Sequence, residues 1–251
     1  MKKLVFIFSS VTLISIGTQA QGLKKLFDNA THKDSTGKTG LQKVFQNGTK
    51  TSLSSEEIAN GLKEALSVGA NNAGQKLSAV DGFFKDAAIK ILMPPEAQKV
   101  EATLRKMGMG KLVDNAILSM NRAAEDAAKQ AAPIFVNAIK QMTIQDAVGI
   151  LKGSDTAATV YLKGKTTASL TEAFRPVIEN SLKKVDATKY WNTVFSTYNK
   201  FSIQKVNPDL AAFVTEKSLS GIFYQVGTEE QKIRKDPVAR STDLLKKVFG
   251  G

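Results

Sequence analysis

The chain has no cysteine, one histidine, one tryptophan and only six prolines in 251 residues. Without cysteine there is no thiolate nucleophile, disulfide, zinc ribbon or iron–sulfur ligation, because each needs sulfur at fixed spacing. With His32 alone, a metal site built on two or more imidazoles is excluded, and a Ser-His-Asp arrangement has one residue to use. His32 lies between Thr31 and Lys33 in a stretch without apolar periodicity, which reads as a solvated histidine. Long apolar runs are missing too. The N-terminal run from Leu4 to Ile16 covers 13 residues, short of the roughly 18 a spanning helix needs, and nothing later resembles a span.

What is present at the N-terminus reads as a secretory signal: Lys2 and Lys3, the apolar run, then small or polar residues through Ala20, with Thr18 and Ala20 placed for cleavage before Gln21. The expected destination is a bacterial periplasm, without lipid attachment because no cysteine follows the cleavage point. Lys and Arg total 35 against 23 acids, a net +12, and removal of Lys2 and Lys3 leaves a basic mature chain. Much of that excess lies in residues 21–53, a Gly-, Thr-, Asn- and Lys-rich leader that is expected to be loosely held. A basic field of this kind attracts anionic envelope components, lipid head groups and acidic glycans among them, or simply keeps the protein dispersed. No nucleic-acid partner is expected, because the aromatic stretch Tyr190 to Tyr198 has the spacing of a core helix and lacks the interleaved basic residues of a stacking platform.

From Ser54 onward the periodicity is helical. Ser54 with Glu57 forms a capping box, and Ile58, Leu62, Ala65 and Leu66 follow at spacings of three and four. The run Ala87 to Met93, ahead of Pro94 and Pro95, reads as a short extended piece or a buried turn. A second helix begins at Pro95 and stops at Gly108 and Gly110. The longest stripe runs from Val113 through Ile117, Met120, Ala124, Ala127, Ala131 and Ile134 to Ala138, with a bend expected near Ala131 because Pro133 removes a donor. Thr143 and Asp146 open a short helix ending at Gly153. Ala157 to Leu162 is expected to stop before Gly164, and a further helix carries Leu170, Phe174 and Leu182 around Pro176. Asn207-Pro208 starts a helix expected to end at Gly227, with Thr228 and Gln231 capping the next. No period-two strand set or internal repeat is visible. The expectation is an all-α fold, a single compact bundle of about eight to ten helices over residues 54–251, behind a signal at 1–20 and a leader at 21–53.

Catalytic and cofactor signatures are sparse. Gly37-Lys38-Thr39 and Gly164-Lys165-Thr166 resemble the end of a phosphate loop, but the motif's first glycine would fall at His32 or Thr159 and no buried strand precedes either triplet. No cofactor and no metal is expected. Carboxylates can run acid and base chemistry without histidine, and Glu125 with Glu229 or Glu230 is the candidate pair for an envelope hydrolase. Adjacent acids on one helix point about 100° apart, so any working pair has to be assembled between helices. The competing reading is ion pairing at i, i+4: Arg122 with Asp126, Glu230 with Arg234, Asp236 with Arg240. Asn121, Arg122, Glu125 and Lys129 share one polar face midway along the longest stripe. That face is buried and in need of partners if the helix is central, and wet if it is peripheral.

Four segments in order carry a resemblance: Gly61 to Leu66, Met120-Asn121-Arg122-Ala123-Ala124-Glu125, Thr159-x-Tyr161-Leu162, and Glu229-Glu230-x-x-Ile233-Arg234-x-Asp236-Pro237. Together the set resembles an exported bacterial family catalogued as domain of unknown function 4197, over essentially Ser54 to Phe249. The resemblance implies an all-helical exported protein and carries over no activity, partner or functional residue. Asn121, Arg122, Glu125, Glu229, Glu230, Arg234 and Asp236 therefore stand as candidates for a ligand site or a structural polar network. The leading expectation is a non-enzymatic binding or scaffold protein for an apolar or anionic ligand or a protein partner. The alternatives are the carboxylate hydrolase and a peripheral binder of membrane or lipopolysaccharide.

Overall fold

Three of the described helices begin where the N-cap side chain supplies an acceptor the backbone lacks. The computed structural model describes residues 54–185 and 209–240, with 187, 188, 191, 192, 195, 199, 200, 205, 246 and 248. The signal, the leader with His32 and Lys38, most of the Tyr190 to Tyr198 stretch, Asn207-Pro208, and Leu244, Leu245 and Phe249 lie outside the described residues. At the start of α1, Ser55–Ser78, the Ser54 hydroxyl accepts from Glu57 N at 3.1 Å and the Glu57 carboxylate accepts from Ser54 N at 2.8 Å, closing the expected capping box. A 3-10 turn, Pro95–Ala97, leads into α2, Gln98–Lys106, which ends at Gly108 in the left-handed region at φ 77°. Gly110 opens a helix rather than closing one: α3 is Gly110–Ala128.

The long apolar stripe divides at Lys129 and Gln130, and α4 is Ala131–Lys140. Pro133 thereby falls in the first turn of α4, where its missing N–H has no helical partner to lose. Thr143 and Asp146 form the second capping box and open α5, Ile144–Lys152, closed at Gly153. Then come α6, Ala157–Lys183, and α7, Leu210–Lys235.

Two expected helix ends are overturned. Gly164 and Gly227 lie inside α6 and α7, and Thr228 caps nothing, its hydroxyl donating to Tyr224 O at 3.1 Å. An interior glycine costs about 1 kcal/mol, less than is gained by burying one continuous face: Leu162, Leu170, Phe174, Ile178 and Leu182 on α6 are all at 0% exposure. The Gly164-Lys165-Thr166 triplet is helix interior, with Thr166 donating to Leu162 O. The N-cap of α7 is Asp209, whose carboxylate accepts from Ala212 N at 2.9 Å. With these mergers the described residues hold seven α-helices, so the expected eight to ten are not reached there, and no strand occurs among them.

Helix α3 is central and packs against α1, α2, α6 and α7. Its alanines 123, 124, 127 and 128 are fully buried and let neighbouring backbones approach closely. Between α1 and α2, residues 79–94 bury Phe83, Ile89, Ile91 and Met93; of the stretch Ala87 to Met93, residues 87–89 are turn and 90–93 run as irregular chain, so neither expected form covers it whole. This segment meets α7 at Gly221, where an added Cβ would stand 2.6 Å from Phe83 Cε1 and 3.3 Å from Ile89 Cβ. Phe83 is itself fully buried and has no room to yield. Gly221→Val is expected to cost about 2–3 kcal/mol through overpacking. Gly164→Ala, with nothing within 4 Å of the new methyl, is expected to stabilise by about 1 kcal/mol. Urea melts of both variants check the pair of signs.

Candidate functional site

Five of the seven candidate polar residues form two staples, each joining a central helix to a neighbouring corner of the fold. The first is on α3. Asn121, fully buried, pairs with the backbone of Ile91 in both directions, its Oδ1 accepting from Ile91 N at 2.9 Å and its Nδ2 donating to Ile91 O at 2.8 Å. A second donation, to Ile117 O at 2.8 Å, uses the other amide hydrogen. One turn further on, Glu125 Oε1 accepts from Phe83 N at 3.1 Å and Phe84 N at 3.2 Å, while its Oε2 accepts from Arg122 at 2.6 Å. Arg122 then reaches Asp81 at 2.7 Å. The Asn-Arg-x-x-Glu spacing puts all three side chains within one turn of α3, and their bonds satisfy backbone groups that the turns of 79–94 leave without a ladder.

The polar face is therefore buried at Asn121 and Glu125, which the 79–94 segment covers, and wet at Lys129. Glu125 is 4% exposed. Arg122 is half-buried and lies over the Phe84 ring, while Lys129 extends into solvent and pairs with Asp126. The expected Arg122 to Asp126 pair is replaced by Arg122 to Glu125, one residue closer along the helix. Asp81 was missed by sequence reading. It has φ 69°, a left-handed conformation that Asp tolerates, and the Asp81-Gly82 dipeptide was the available turn signal. Bonds from Lys85 and Arg122 hold its carboxyl below the ordinary value.

The second staple is on α7. Glu230, 4% exposed, accepts from Ala158 N at 3.0 Å, Thr159 N at 2.8 Å and Thr159 Oγ1 at 2.7 Å, and so caps the N-terminus of α6 from another helix. Arg234 bonds Glu230 through Nε and Nη2 at 3.1 and 2.9 Å, as expected from the i, i+4 spacing. Its Nη2 also donates to Ile150 O at 2.8 Å, at the C-terminus of α5. An anion thus sits at a helix N-terminus and a cation at a C-terminus, both favoured by the helix dipoles. Asp236 closes α7 and accepts from Val238 N at 2.9 Å, a helix stop. Arg240 does not take Asp236 as expected; it donates to Ile233 O and Arg234 O and satisfies the end of α7.

Glu229, the remaining candidate, diverges from Glu230 as adjacent helical residues must, and is held by Gln225 at 3.0 Å and Lys232 at 2.7 Å. Glu125 and Glu230 belong to different staples, with Arg122 and Arg234 as their respective counterions. A void against Glu230 and Arg234 measures about 10 Å³, room for a water at most. Among the described residues, Thr188 Oγ1 is the sole buried side-chain polar atom without a partner, and no group of three metal-ligating side chains forms.

Space for a ligand lies elsewhere. An open groove of about 300 Å³ is lined by α2, α3 and the side chains of Val185, Ala187, Trp191 and Phe195, with Val100, Leu104 and Met120 also on its walls. Met120 and Phe195, expected in the core, are buried and also line this groove; groove and core share one apolar period, so the sequence does not separate them. Leu112 and Val185, about half exposed, stand at its edge. A second, polar cleft of about 590 Å³ lies between α4, the start of α5 and α6.

Compared with known proteins, residues 52–250 match the model of a family described as "Protein of unknown function (DUF4197)". No curated protein and no solved structure matches the chain.

Proposed function

The chain belongs to the DUF4197 family, and from that premise we propose a non-enzymatic binding protein that holds an apolar chain, such as a fatty acyl group, in the groove between α2 and α3. The observation that carries the reading is the groove itself: about 300 Å³, open at one side and walled by aliphatic and aromatic side chains, at the lower end of the roughly 300–1,000 Å³ typical of small-molecule sites. The commitment of Glu125 and Glu230 to backbone N–H groups and arginines supports a binding role over a hydrolase, since a general acid or base must be free to reach a substrate proton. The reading includes export through residues 1–20 to the periplasm.

The groove contains Trp191, the only tryptophan in the chain, so intrinsic fluorescence reports its occupancy. Titration with dodecanoate is expected to change Trp191 emission saturably, and Ala116→Trp, which fills the groove from α3, is expected to weaken binding by about tenfold or more. The added tryptophan is handled by reading the variant through competition with a fluorescent fatty acid. Native mass spectrometry of protein from its own envelope fraction is expected to show an extractable extra mass. A clean apo mass together with no response to dodecanoate overturns the proposal.

A further inference from the structure

The polar cleft between α4 and α6 is built from side chains spaced to face one another. Asn137 and Gln141 are four residues apart on one side of α4 and just beyond its end, and Tyr161, Lys165 and Ser169 repeat at four on α6. Buried polar side chains elsewhere are consumed by the fold: Asn121 staples Ile91, and Gln225 takes Lys76 and Glu229. In the cleft, among the described residues, the Asn137 and Gln141 amides and the Tyr161 and Ser169 hydroxyls have no protein partner, and Lys165 lies over the Tyr161 ring at 5.7 Å. Tyr161 belongs to the Thr159-x-Tyr161-Leu162 segment, of which the Glu230 staple uses Thr159 alone.

From this convergence we propose a second binding site, for an uncharged saccharide of one or two rings. The charges in the cleft balance: Lys165 stands opposite Asp146, whose Oδ2 is already committed to Thr143 N and Oγ1 at 3.0 and 2.7 Å. With Lys165 acting on the Asp146 carboxylate, the two lining charges cancel and favour neither a cation nor an anion. Each primary amide presents a donor and an acceptor side by side, the complement of two neighbouring hydroxyls that both give and take hydrogen bonds. The half-buried Tyr161 ring offers an apolar surface for the C–H face of a sugar, and its hydroxyl a further polar contact. At about 590 Å³ the cleft has the size of a small-molecule site. It shares no residue with the apolar groove, so the two proposals stand or fall separately.

The test is a ¹⁵N NMR titration of the full chain with maltose and with cellobiose. Saturable shifts are expected at the amides of Asn137, Gln141, Lys165 and Ser169 for at least one of the two sugars, with affinity lowered about tenfold or more in the Asn137→Ala, Gln141→Ala double variant. Both substitutions are at exposed positions, so the variant is expected to keep the wild-type melting temperature and dodecanoate response. Tyr161→Phe, which keeps the ring and removes the hydroxyl, is expected to bind more weakly than wild type and more tightly than the double variant. No shift at about 50 mM of either sugar, shifts unchanged in the double variant, or shifts produced equally by glutamate or inorganic phosphate would each overturn the assignment.

Discussion

Glu125→Ala is expected to lower the stability of the folded chain by about 3–5 kcal/mol, the cost of leaving two backbone donors without their acceptor. For a chain of this size that is a fall in melting temperature of about 10 °C. The loss has a definite origin. Phe83 N and Phe84 N are left without an acceptor in a region where Phe83 is fully buried, and each orphaned donor costs about 1–3 kcal/mol. Arg122→Ala is expected to cost much less, about 1 kcal/mol, because Arg122 is 37% exposed and solvent screens its pairs, while Glu125 keeps both backbone donors. Glu125→Gln falls between the two, retaining an acceptor oxygen and losing the charge. Thermal melts of the three variants give the order directly. Equal losses for Glu125→Ala and Arg122→Ala would mean the ion pair, rather than the backbone bonds, holds residues 79–94 on α3.

At the other staple, Glu230→Ala is expected to cost a similar amount, about 3–5 kcal/mol, and to act locally before it acts globally. It strips the cap from Ala158 N and Thr159 N and leaves Arg234, 11% exposed, without its carboxylate. Hydrogen exchange is the discriminating measurement, with amides at the start of α6 expected to lose protection ahead of those in α3. The double variant Glu230→Ala, Arg234→Ala is expected to fall short of the sum of the single losses by about 1–3 kcal/mol, since the two residues share one network. Strict additivity, or protection lost evenly across the molecule, would show that Glu230 contributes only through general burial.

Different parts of the molecule were legible in the sequence to different degrees. The caps of α1 and α5 were readable because Ser54 to Glu57 and Thr143 to Asp146 bond across three residues, a distance one sequence displays completely. Gly164 and Gly227 misled for the same local reason. A glycine's preference for helix ends is worth about 1 kcal/mol, and the tertiary faces of α6 and α7 outweigh it. Glu229 and Glu230, side by side in the sequence, were equally plausible members of a catalytic pair. One holds Lys232 and Gln225 on its own helix while the other caps α6, a difference set by the 100° between neighbouring helical side chains and by which neighbour lies on each side. The groove was hidden because Met120 and Phe195 obey the same period whether they face a neighbour or a cavity.

By itself, then, the amino-acid order determined the helical class, the caps of α1 and α5, the family resemblance, and the absence of thiol and paired-imidazole chemistry. These depend on composition or on interactions within about four residues of chain. Only the tertiary structure decided that Asn121 and Glu125 are buried, that their partners are the backbones of Ile91, Phe83 and Phe84, and that Glu230 caps α6. Those bonds join residues 30 to 72 positions apart. Their existence rests on how irregular segments cross central helices, where a carboxylate buried beside unpaired backbone donors is stabilised and the same carboxylate facing water is merely solvated.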